Sequence, residues 1–178
     1  IRIYNPGVIF ISTSTNQVYG QMNDLKISER KNRYVWLDEP YSKYGVSEKR
    51  NLEFLSPYGC SKGAADQYSL DYARVYGLNV VVLRLSGIYG ENQYSYEDHG
   101  WISFISYKIM KNEKFNRYGN GKQVRDVLYI SDIIKAFQLS VKNIDKTRGE
   151  AFNIGGGINN SLSVLELMNL VVDITKNE

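Results

Sequence analysis

The sequence predicts an α/β fold built on a parallel sheet, and three observations lead to this prediction. Two short apolar runs rich in β-branched residues, at residues 8–11 and 80–85, are typical of buried parallel strands. A long helical segment lies between them, and strands and helices continue to alternate along the chain. The 178 residues are 43% apolar and 23% charged, as in an ordinary globular protein with a buried core.

The first predicted strand, at residues 8–11, is followed by a polar cluster at residues 12–16. Residues 21–56 are polar, carry many charges and show weak periodicity, so we interpret them as a long insertion or loop. A short helix around residues 25–30 is the one regular element that this segment suggests. Long loops in compact domains are usually lids or binding loops.

The strongest helical prediction begins directly after that insertion. Ser56 is a good N-cap, Pro57 is favoured in the first turn, and Gly77 is a typical helix stop, so the helix ends near Tyr76. The apolar run at residues 80–85 then forms the second buried strand.

The remaining elements follow in the same alternation. They are a loop to Gly100, a helix over residues 101–111, a short strand near residues 115–118, a turn at residues 119–121, a strand over residues 127–130, a helix capped by Asp132 and running through Val141, a strand over residues 151–154, and a helix capped by Ser163 over residues 164–175.

Composition argues against several classes of partner. The net charge is +3, but the basic residues are scattered and form no stripe, so we expect no nucleic-acid partner. No window approaches 18 apolar residues, so we expect no membrane span. The single cysteine, Cys60, cannot form an internal disulfide, which favours a reducing compartment and a cytoplasmic location. Metal ligands do not cluster, so we expect no metal site.

A tyrosine and a lysine four residues apart suggest acid/base chemistry. Tyr58 and Lys62 share one face of the predicted helix, one turn apart. An ammonium about 4 Å from a phenol favours the phenolate by about 4 kcal/mol at an effective dielectric constant of about 20. The same spacing also occurs by chance. The polar residues 12–16 and 84–87, at the carboxyl ends of two strands, strengthen the prediction, because ligands of open α/β sheets bind there.

Five ordered motifs carry a family resemblance. They are TNQVYG at residues 15–20, SPYGCSK at residues 56–62, RLSGIYG at residues 84–90, GKQVRDV at residues 121–127 and FNIGG at residues 152–156. The chain therefore resembles the extended short-chain dehydrogenase/reductase family of nucleotide-sugar epimerases and dehydratases. The resemblance implies a Rossmann-like, doubly wound parallel sheet with part of a smaller C-terminal substrate-binding lobe. Residues 1–90 would be the C-terminal half of the dinucleotide-binding domain, and residues 91–178 a partial lobe interleaved with its last elements.

The resemblance also implies roles for residues at matching positions. Tyr58 would be the general acid/base for a sugar hydroxyl, assisted by Lys62 and Thr15. NAD would be held by Ser12, Thr13, Ser14, Tyr58, Lys62, Leu85 and Ser86. The nucleotide sugar would be bound by Thr15, Asn16, Gln17, Gly87, Gln93, His99, Trp101 and Arg125, with Arg125 on the diphosphate. The helix that carries Tyr58 would form the interface of a homodimer or a higher homo-oligomer.

Two side chains after Thr15 bear on the reaction. The 4,6-dehydratases of the family typically place Asp and Glu there, whereas this chain has Asn16 and Gln17, so epimerisation is favoured over dehydration. Residues 56–68 resemble most clearly those of family members that epimerise C2 of a CDP-sugar, and residues 33–36, 44–48 and 98–101 are similar to them as well. This implies conversion of CDP-paratose to CDP-tyvelose, in lipopolysaccharide O-antigen biosynthesis, through a transient 2-keto sugar.

Other interpretations stay open. One departure from the pattern is His99, where the family usually has Gln. One alternative reaction is epimerisation at C4 of a UDP-sugar. An alternative of another class is a non-catalytic, dinucleotide-binding regulator on the same scaffold.

A glycine-rich turn that could hold a cofactor pyrophosphate is missing from the first fifty residues, and the sequence has no initiator Met. We therefore expect the chain to be truncated before Ile1 and its substrate lobe to be incomplete after Glu178. On this expectation, the isolated chain binds the cofactor poorly, and catalysis is predicted for the intact protein.

Overall fold

A computed structural model of the chain describes residues 1–97 and 99–176. The chain folds into two compact units whose segments alternate along the sequence. The first unit consists of Ile1–Asn23, Val46–Ser86 and Ser131–Ile154, and the second of Asp24–Gly45, Gly87–Ile130 and the segment from Gly155 to the end of the described chain. The assignment of residues 1–90 and 91–178 to a dinucleotide-binding half and a substrate lobe stays a prediction.

The described part of the chain contains eight strands, six helices and two 3-10 turns. In chain order they are β1 (Phe10–Thr15), a 3-10 turn (Asn16–Tyr19), β2 (Ile27–Glu29), β3 (Tyr34–Trp36), α1 (Tyr41–Tyr44), α2 (Pro57–Tyr76), β4 (Val80–Leu85), β5 (Gly87–Tyr89), α3 (Trp101–Met110), β6 (Val124–Tyr129), α4 (Ile130–Lys142), α5 (Ile144–Thr147), β7 (Ala151–Ile154), a second 3-10 turn (Ile158–Asn160), β8 (Ser161–Ser163) and α6 (Val164–Thr175).

A three-stranded parallel sheet in the order β1-β4-β7 forms the centre of the first unit. The middle strand β4 is flanked on both sides, and its residues from Val80 to Leu83 are at most 3% exposed. Complete burial explains why this stretch reads as a continuous apolar run. The predicted α/β fold is confirmed.

The first strand differs from its prediction. It begins at Phe10, not Val8, and continues to Thr15, so Ser12 and Ser14 lie within it. Its main chain pairs with β4 from Phe10 to Thr15. Main-chain hydrogen bonds depend little on side-chain polarity, so the ladder extends through the serines and threonines. The carboxyl end of the strand therefore lies at Thr15.

Helix α2 has the predicted bounds, because both ends are determined by local chemistry. The Ser56 hydroxyl accepts a hydrogen bond from the Gly59 amide at 3.0 Å, and Pro57 occupies the first turn. Gly77 has a φ of 66°, in the left-handed region that glycine adopts readily, and its amide donates to the Ala73 carbonyl.

Replacing Ser56 with Ala in the intact protein is expected to reduce the free energy of unfolding by about 1 kcal/mol, because the Gly59 amide loses its partner. Urea unfolding followed by circular dichroism measures the effect. Ser69→Ala is the matched control, because Ser69 lies inside α2 and its hydroxyl donates to the carbonyl of Ala65. Equal losses for the two variants would contradict the capping role.

A mixed sheet in the order β5-β6-β8 belongs to the second unit. Strands β5 and β6 are parallel, whereas β8 runs antiparallel to β6. Helices α3 and α6 pack together around Ile105, Leu167 and Val171, which are at most 8% exposed. Ser163 caps α6, as predicted, and Glu166 completes a capping box with it.

The interpretation of residues 21–56 as a loop with a short helix near residues 25–30 is wrong in part. Strands β2 and β3 form an antiparallel hairpin there, and α1 follows it. The hairpin is held by distant residues of its own unit. The Tyr34 amide donates to the Lys122 carbonyl at 3.0 Å, and Arg33 donates to the Ser161 carbonyl and hydroxyl at 3.0 and 2.7 Å. A local sequence pattern does not identify such partners.

Three further predictions in the second half of the chain are corrected. The loop predicted up to Gly100 contains β5 (Gly87–Tyr89), because these residues pair with β6, a partner distant in sequence. The residues predicted as a strand near residues 115–118 form none, and the ring of Phe115 packs edge-on against Phe104 with centroids 6.2 Å apart. The apolar side chain of Phe115 therefore packs against α3 and is not part of a sheet.

The boundary between β6 and α4 is also shifted. Strand β6 begins at Val124, three residues earlier than predicted, and ends at Tyr129. Helix α4 begins at Ile130, so Asp132 lies within the first turn and not at the cap. The Asp132 carboxylate instead accepts a hydrogen bond from Lys135 at 3.1 Å.

Candidate active site

Thr15 lies at the carboxyl end of β1 and caps the 3-10 turn that follows. Its hydroxyl accepts a hydrogen bond from the Gln17 amide at 3.3 Å and donates one to the Asn16 side chain at 3.4 Å. The residue is 7% exposed, whereas Asn16 and Gln17 are exposed. The strand end and the turn together fix the position of this hydroxyl.

Tyr58 and Lys62 lie one turn apart at the start of α2. The Lys62 ammonium donates a hydrogen bond to the Thr13 carbonyl of β1 at 3.1 Å. The Tyr58 side chain is 49% exposed, and its hydroxyl has no hydrogen-bond partner among the residues that the structure describes. Lys62 therefore holds a positive charge against β1, and Tyr58 presents an accessible phenol one turn earlier on α2.

The first turn of α2 also packs against the turn that Thr15 caps. A β-carbon at Gly59 would lie 3.5 Å from the Gln17 carbonyl, which is ordinary van der Waals contact. Two residues of α2 therefore contact the chain on either side of Thr15. Lys62 contacts Thr13, and Gly59 packs against Gln17. The structure brings Thr15, Tyr58 and Lys62 to the same end of the sheet, as the sequence predicted.

The other residues predicted to hold a cofactor lie on β1 and at the end of β4. Ser12 is half-buried and Thr13 is exposed. Ser14 is 5% exposed, and its hydroxyl finds no hydrogen-bond partner in the described chain. Leu85 and Ser86 are half-buried, and the Ser86 amide donates to a carbonyl of β7 at 3.0 Å. Their roles stay predictions.

Three of the predicted substrate residues lie in β5, α3 and the loop between them, in the second unit. Gly87 begins β5, and Trp101 begins α3 and packs against its apolar core. The Gln93 amide is held inside the unit, where it donates to the Ile88 carbonyl at 3.2 Å and accepts from the Ser103 hydroxyl at 2.5 Å.

His99 and Arg125 lie in the same unit and are both exposed. The His99 ring stacks on Tyr96 with centroids 5.7 Å apart. The Arg125 guanidinium donates to the Val124 carbonyl at 3.0 Å. Asp98, which belongs to one of the motifs considered above, lies outside the described residues. The binding roles of these side chains stay predictions.

Sequence reasoning missed a buried polar cluster beneath α2. Arg84 of β4, which we expected to contribute a polar group at the strand end, is 4% exposed and pairs with Asp66, which is 0% exposed. The guanidinium also donates to the Tyr19 hydroxyl at 2.9 Å, and that hydroxyl donates to the Asn153 side chain at 2.7 Å. The sequence did contain one sign of this cluster, because Arg84 is the single charged residue of the apolar run at residues 80–85.

The cluster keeps Arg84 charged. Burial lowers the pKa of the Arg84 guanidinium, but the hydrogen bonds with Asp66 and Tyr19 outweigh this effect and raise the pKa above its ordinary value. Two of these contacts form a bidentate pair with the Asp66 carboxylate, at 2.8 and 3.0 Å.

The described residues contain no group of three or more His, Cys, Asp or Glu side chains placed to hold a metal ion. Across the same residues, no helix combines the length and the apolar character needed to cross a membrane.

Several known proteins are similar to this chain in sequence and in fold. The family model described as the NAD dependent epimerase/dehydratase family matches residues 1–155. CDP-paratose 2-epimerase of Salmonella typhi is 48% identical over 178 residues, covering 97% of this chain and 52% of that protein.

Two solved structures are similar. The dTDP-glucose 4,6-dehydratase of Bacillus anthracis, in complex with NAD, has a TM-score of 0.75 at 27% identity and covers 97% of this chain and 48% of its own. The UDP-glucose 4-epimerase of Thermotoga maritima, with UDP-glucose, has a TM-score of 0.73 at 27% identity. The match covers 95% of this chain and 48% of the epimerase chain. The chain spans about half the length of these relatives. Because the family model covers most of the chain, the protein belongs to the NAD dependent epimerase/dehydratase family.

Proposed function

We propose that this chain carries the acid/base site of an NAD-dependent nucleotide-sugar epimerase that converts CDP-paratose to CDP-tyvelose. One observation carries the proposal: Lys62 donates to the Thr13 carbonyl at 3.1 Å, which holds the ammonium against the strand that ends at Thr15, and Tyr58 lies one turn earlier on α2. The identity of 48% with CDP-paratose 2-epimerase supports the choice of substrate.

The side chains at this strand end fit the ribose and nicotinamide of NAD. In the described part of the chain, the Lys62 ammonium donates to one acceptor, the Thr13 carbonyl. Two of the three N–H donors of Lys62 therefore remain for ribose hydroxyls. The buried Ser14 hydroxyl, which has no protein partner there, adds a polar group to the same strand. Lys62 would hold the ribose, and Ser12, Thr13, Ser14, Leu85 and Ser86 would line the cofactor.

The proposed reaction needs a proton acceptor and a hydrogen-bond donor at the same sugar oxygen. Tyr58 would take the proton of the C2 hydroxyl, and the Thr15 hydroxyl would turn from its 3.4 Å contact with the Asn16 side chain to donate to that oxygen. Bound NAD supplies the removal of a hydride from C2 and its return. When the 2-keto sugar presents its other face, Tyr58 gives the proton back, and the inverted alcohol results.

The residues after Thr15 favour epimerisation over dehydration. Elimination of water across two carbons needs an acid and a base beside the sugar. Asn16 and Gln17 are exposed amides and do not ionise. The neighbouring positions therefore offer no carboxyl group for elimination.

Arg125 is proposed to bind the diphosphate of the nucleotide sugar. Its guanidinium is exposed and uses one N–H on the Val124 carbonyl, which leaves further donors for phosphate oxygens. Gly87, Gln93, His99 and Trp101 are proposed to contact the sugar or the base.

Assembly and location are further parts of the proposal. Helix α2 exposes Tyr68, Tyr72, Val75 and Tyr76, which suits the interface of a homodimer. Cys60 is an exposed free thiol, which suits a reducing, cytoplasmic compartment. We also propose a role in lipopolysaccharide O-antigen biosynthesis, which goes with the proposed product.

A second candidate function is epimerisation at C4 of a UDP-sugar. The similarity to the Thermotoga maritima UDP-glucose 4-epimerase favours it, because the same strand end and helix could serve a different carbon of the sugar. A non-catalytic regulator is less well supported, because Tyr58, Lys62 and Thr15 are all present.

Incubating the purified intact protein with NAD and either CDP-paratose or UDP-glucose separates these functions. We expect inversion at C2 of CDP-paratose, observed by proton NMR, and no conversion of UDP-glucose. With deuterium at C2 of CDP-paratose, the label should stay on C2, because the hydride returns to the carbon that it left. The dTDP-glucose reaction serves as the control for dehydration.

Turnover of UDP-glucose without turnover of CDP-paratose would replace the first function with the second. Loss of the C2 label to water would contradict the hydride mechanism. Binding of NAD with no turnover of any of the three nucleotide sugars would favour the regulator.

A further inference from the structure

The polar cluster beneath α2 connects the two parts of the proposed catalytic site. Strand register places Ser14, Arg84 and Asn153 side by side across β1, β4 and β7, so their side chains lie on one face of the sheet. Arg84 contacts Asp66 of α2, which identifies this face as the one that α2 covers.

The ion pair between Arg84 and Asp66 restricts the rotation of α2 about its axis. Two parallel contacts join the groups, Nε to Oδ2 at 2.8 Å and Nη2 to Oδ1 at 3.0 Å. A bidentate pair fixes orientation as well as distance. Both side chains are almost completely buried, so water does not compete for these contacts.

Asp66 is spaced regularly from the proposed catalytic side chains. Tyr58, Lys62 and Asp66 follow each other at four-residue intervals, a little more than one turn each. A helix rotation of about 20° moves a side-chain tip about 6 Å from the axis by roughly 2 Å. A displacement of about 1 Å at a catalytic group can lower the rate about 100-fold. The rotation set at Asp66 therefore matters for Tyr58.

The same guanidinium also fixes the turn that begins at Thr15. Its Nη1 donates to the Tyr19 hydroxyl at 2.9 Å, and Tyr19 is the last residue of the 3-10 turn that Thr15 caps. The Tyr19 hydroxyl donates in turn to Asn153 of β7 at 2.7 Å. Arg84 thus holds α2 through Asp66 and the Thr15 turn through Tyr19.

We propose that Arg84 and Tyr19 are positioning residues of the proposed epimerase, and that they set the Thr15 hydroxyl against the Tyr58–Lys62 pair. This inference rests on the proposed function, because it assigns the contacts among Arg84, Asp66 and Tyr19 an effect on the proposed epimerisation. Neither residue is assigned a contact with substrate or cofactor.

Tyr19→Phe in the intact protein tests the proposal, because it removes one oxygen and keeps the buried ring. We expect kcat for the nucleotide sugar to fall about 10- to 100-fold with KM changed less than about twofold, because geometry is lost while binding contacts remain. Arg84→Lys keeps the charge but loses the bidentate pair, and should give the same pattern.

Leu78→Ala is the matched control for stability. Leu78 is 6% exposed and packs with Ala73 and Val80, away from the polar cluster. We expect a lower Tm and an unchanged kcat at temperatures where the variant is folded. If Tyr19→Phe behaves like this control, with a lower Tm and full kcat, the network is structural and the positioning role is wrong.

A double variant gives a second test. If Tyr19 acts through the Thr15 turn, adding Tyr19→Phe to Thr15→Ala should lower kcat less than about twofold further, because the hydroxyl that it positions is already absent. Independent, multiplying losses would overturn the proposal. The Tyr58→Phe variant distinguishes failure of the proposed function from failure of the positioning role. If Tyr58→Phe is active, the proposed function is refuted. If Tyr58→Phe is inactive and Tyr19→Phe is fully active, only the positioning role is refuted.

Discussion

Replacing Tyr58 with Phe in the intact protein is expected to lower kcat for CDP-paratose about 100- to 10,000-fold, the usual contribution of a positioned acid/base group. The change removes the hydroxyl that is proposed to accept and return the proton, and it keeps the ring at the start of α2. Because Tyr58 is 49% exposed, the fold should be retained. Steady-state kinetics measures the loss, and circular dichroism confirms folding.

Binding of NAD should change little in the same variant. Lys62 is assigned the ribose, and its contact with the Thr13 carbonyl does not involve the Tyr58 hydroxyl. Equilibrium titration with NAD, followed by fluorescence, gives the Kd of each protein. Retained binding with lost turnover assigns Tyr58 to the chemical step.

Tyr68→Phe is the matched control on the same helix. Tyr68 is 69% exposed and lies more than two turns after Tyr58, so its hydroxyl is not expected to affect turnover. Full activity of Tyr58→Phe, or equal losses for both variants, would remove Tyr58 from the mechanism.

Replacing Asp66 with Asn is expected to reduce the free energy of unfolding by about 3–5 kcal/mol, because it leaves the buried Arg84 charge without its counter-ion. Arg84 is 4% exposed, so water cannot replace the lost carboxylate. Urea unfolding of the intact protein measures the loss.

Asp71→Asn provides the matched control, again on α2. Asp71 pairs with Arg74 at 3.6 Å, but both side chains are more than half exposed, so the change should alter stability by less than about 1 kcal/mol. Similar losses for Asp66 and Asp71 variants would show that burial of the first pair has no energetic consequence.

A double replacement isolates the cause of the loss. Changing Asp66 to Leu and Arg84 to Met together removes both charges, and apolar replacements of a buried ion pair are often neutral or stabilising. We expect the double variant to recover much of the stability that Asp66→Asn loses. It should not recover turnover, because the positioning contacts to α2 and Tyr19 are gone.

Much of the site was predictable because its signals are local. The four-residue spacing of Tyr58 and Lys62 places both on one face of any helix, and the caps at Ser56 and Gly77 define that helix. The position of Thr15 followed from the motif that it begins. The structure adds the contact of Lys62 with β1, which no spacing rule contains.

The α/β class and the bounds of α2 and β4 could be predicted from local residues, because capping chemistry and apolar periodicity act over a few positions. The β2–β3 hairpin, the length of β1 and the pairing of Asp66 with Arg84 became visible only in the folded chain. Each depends on a partner distant in sequence, and a polar or charged residue does not indicate which partner will satisfy it once the chain is buried.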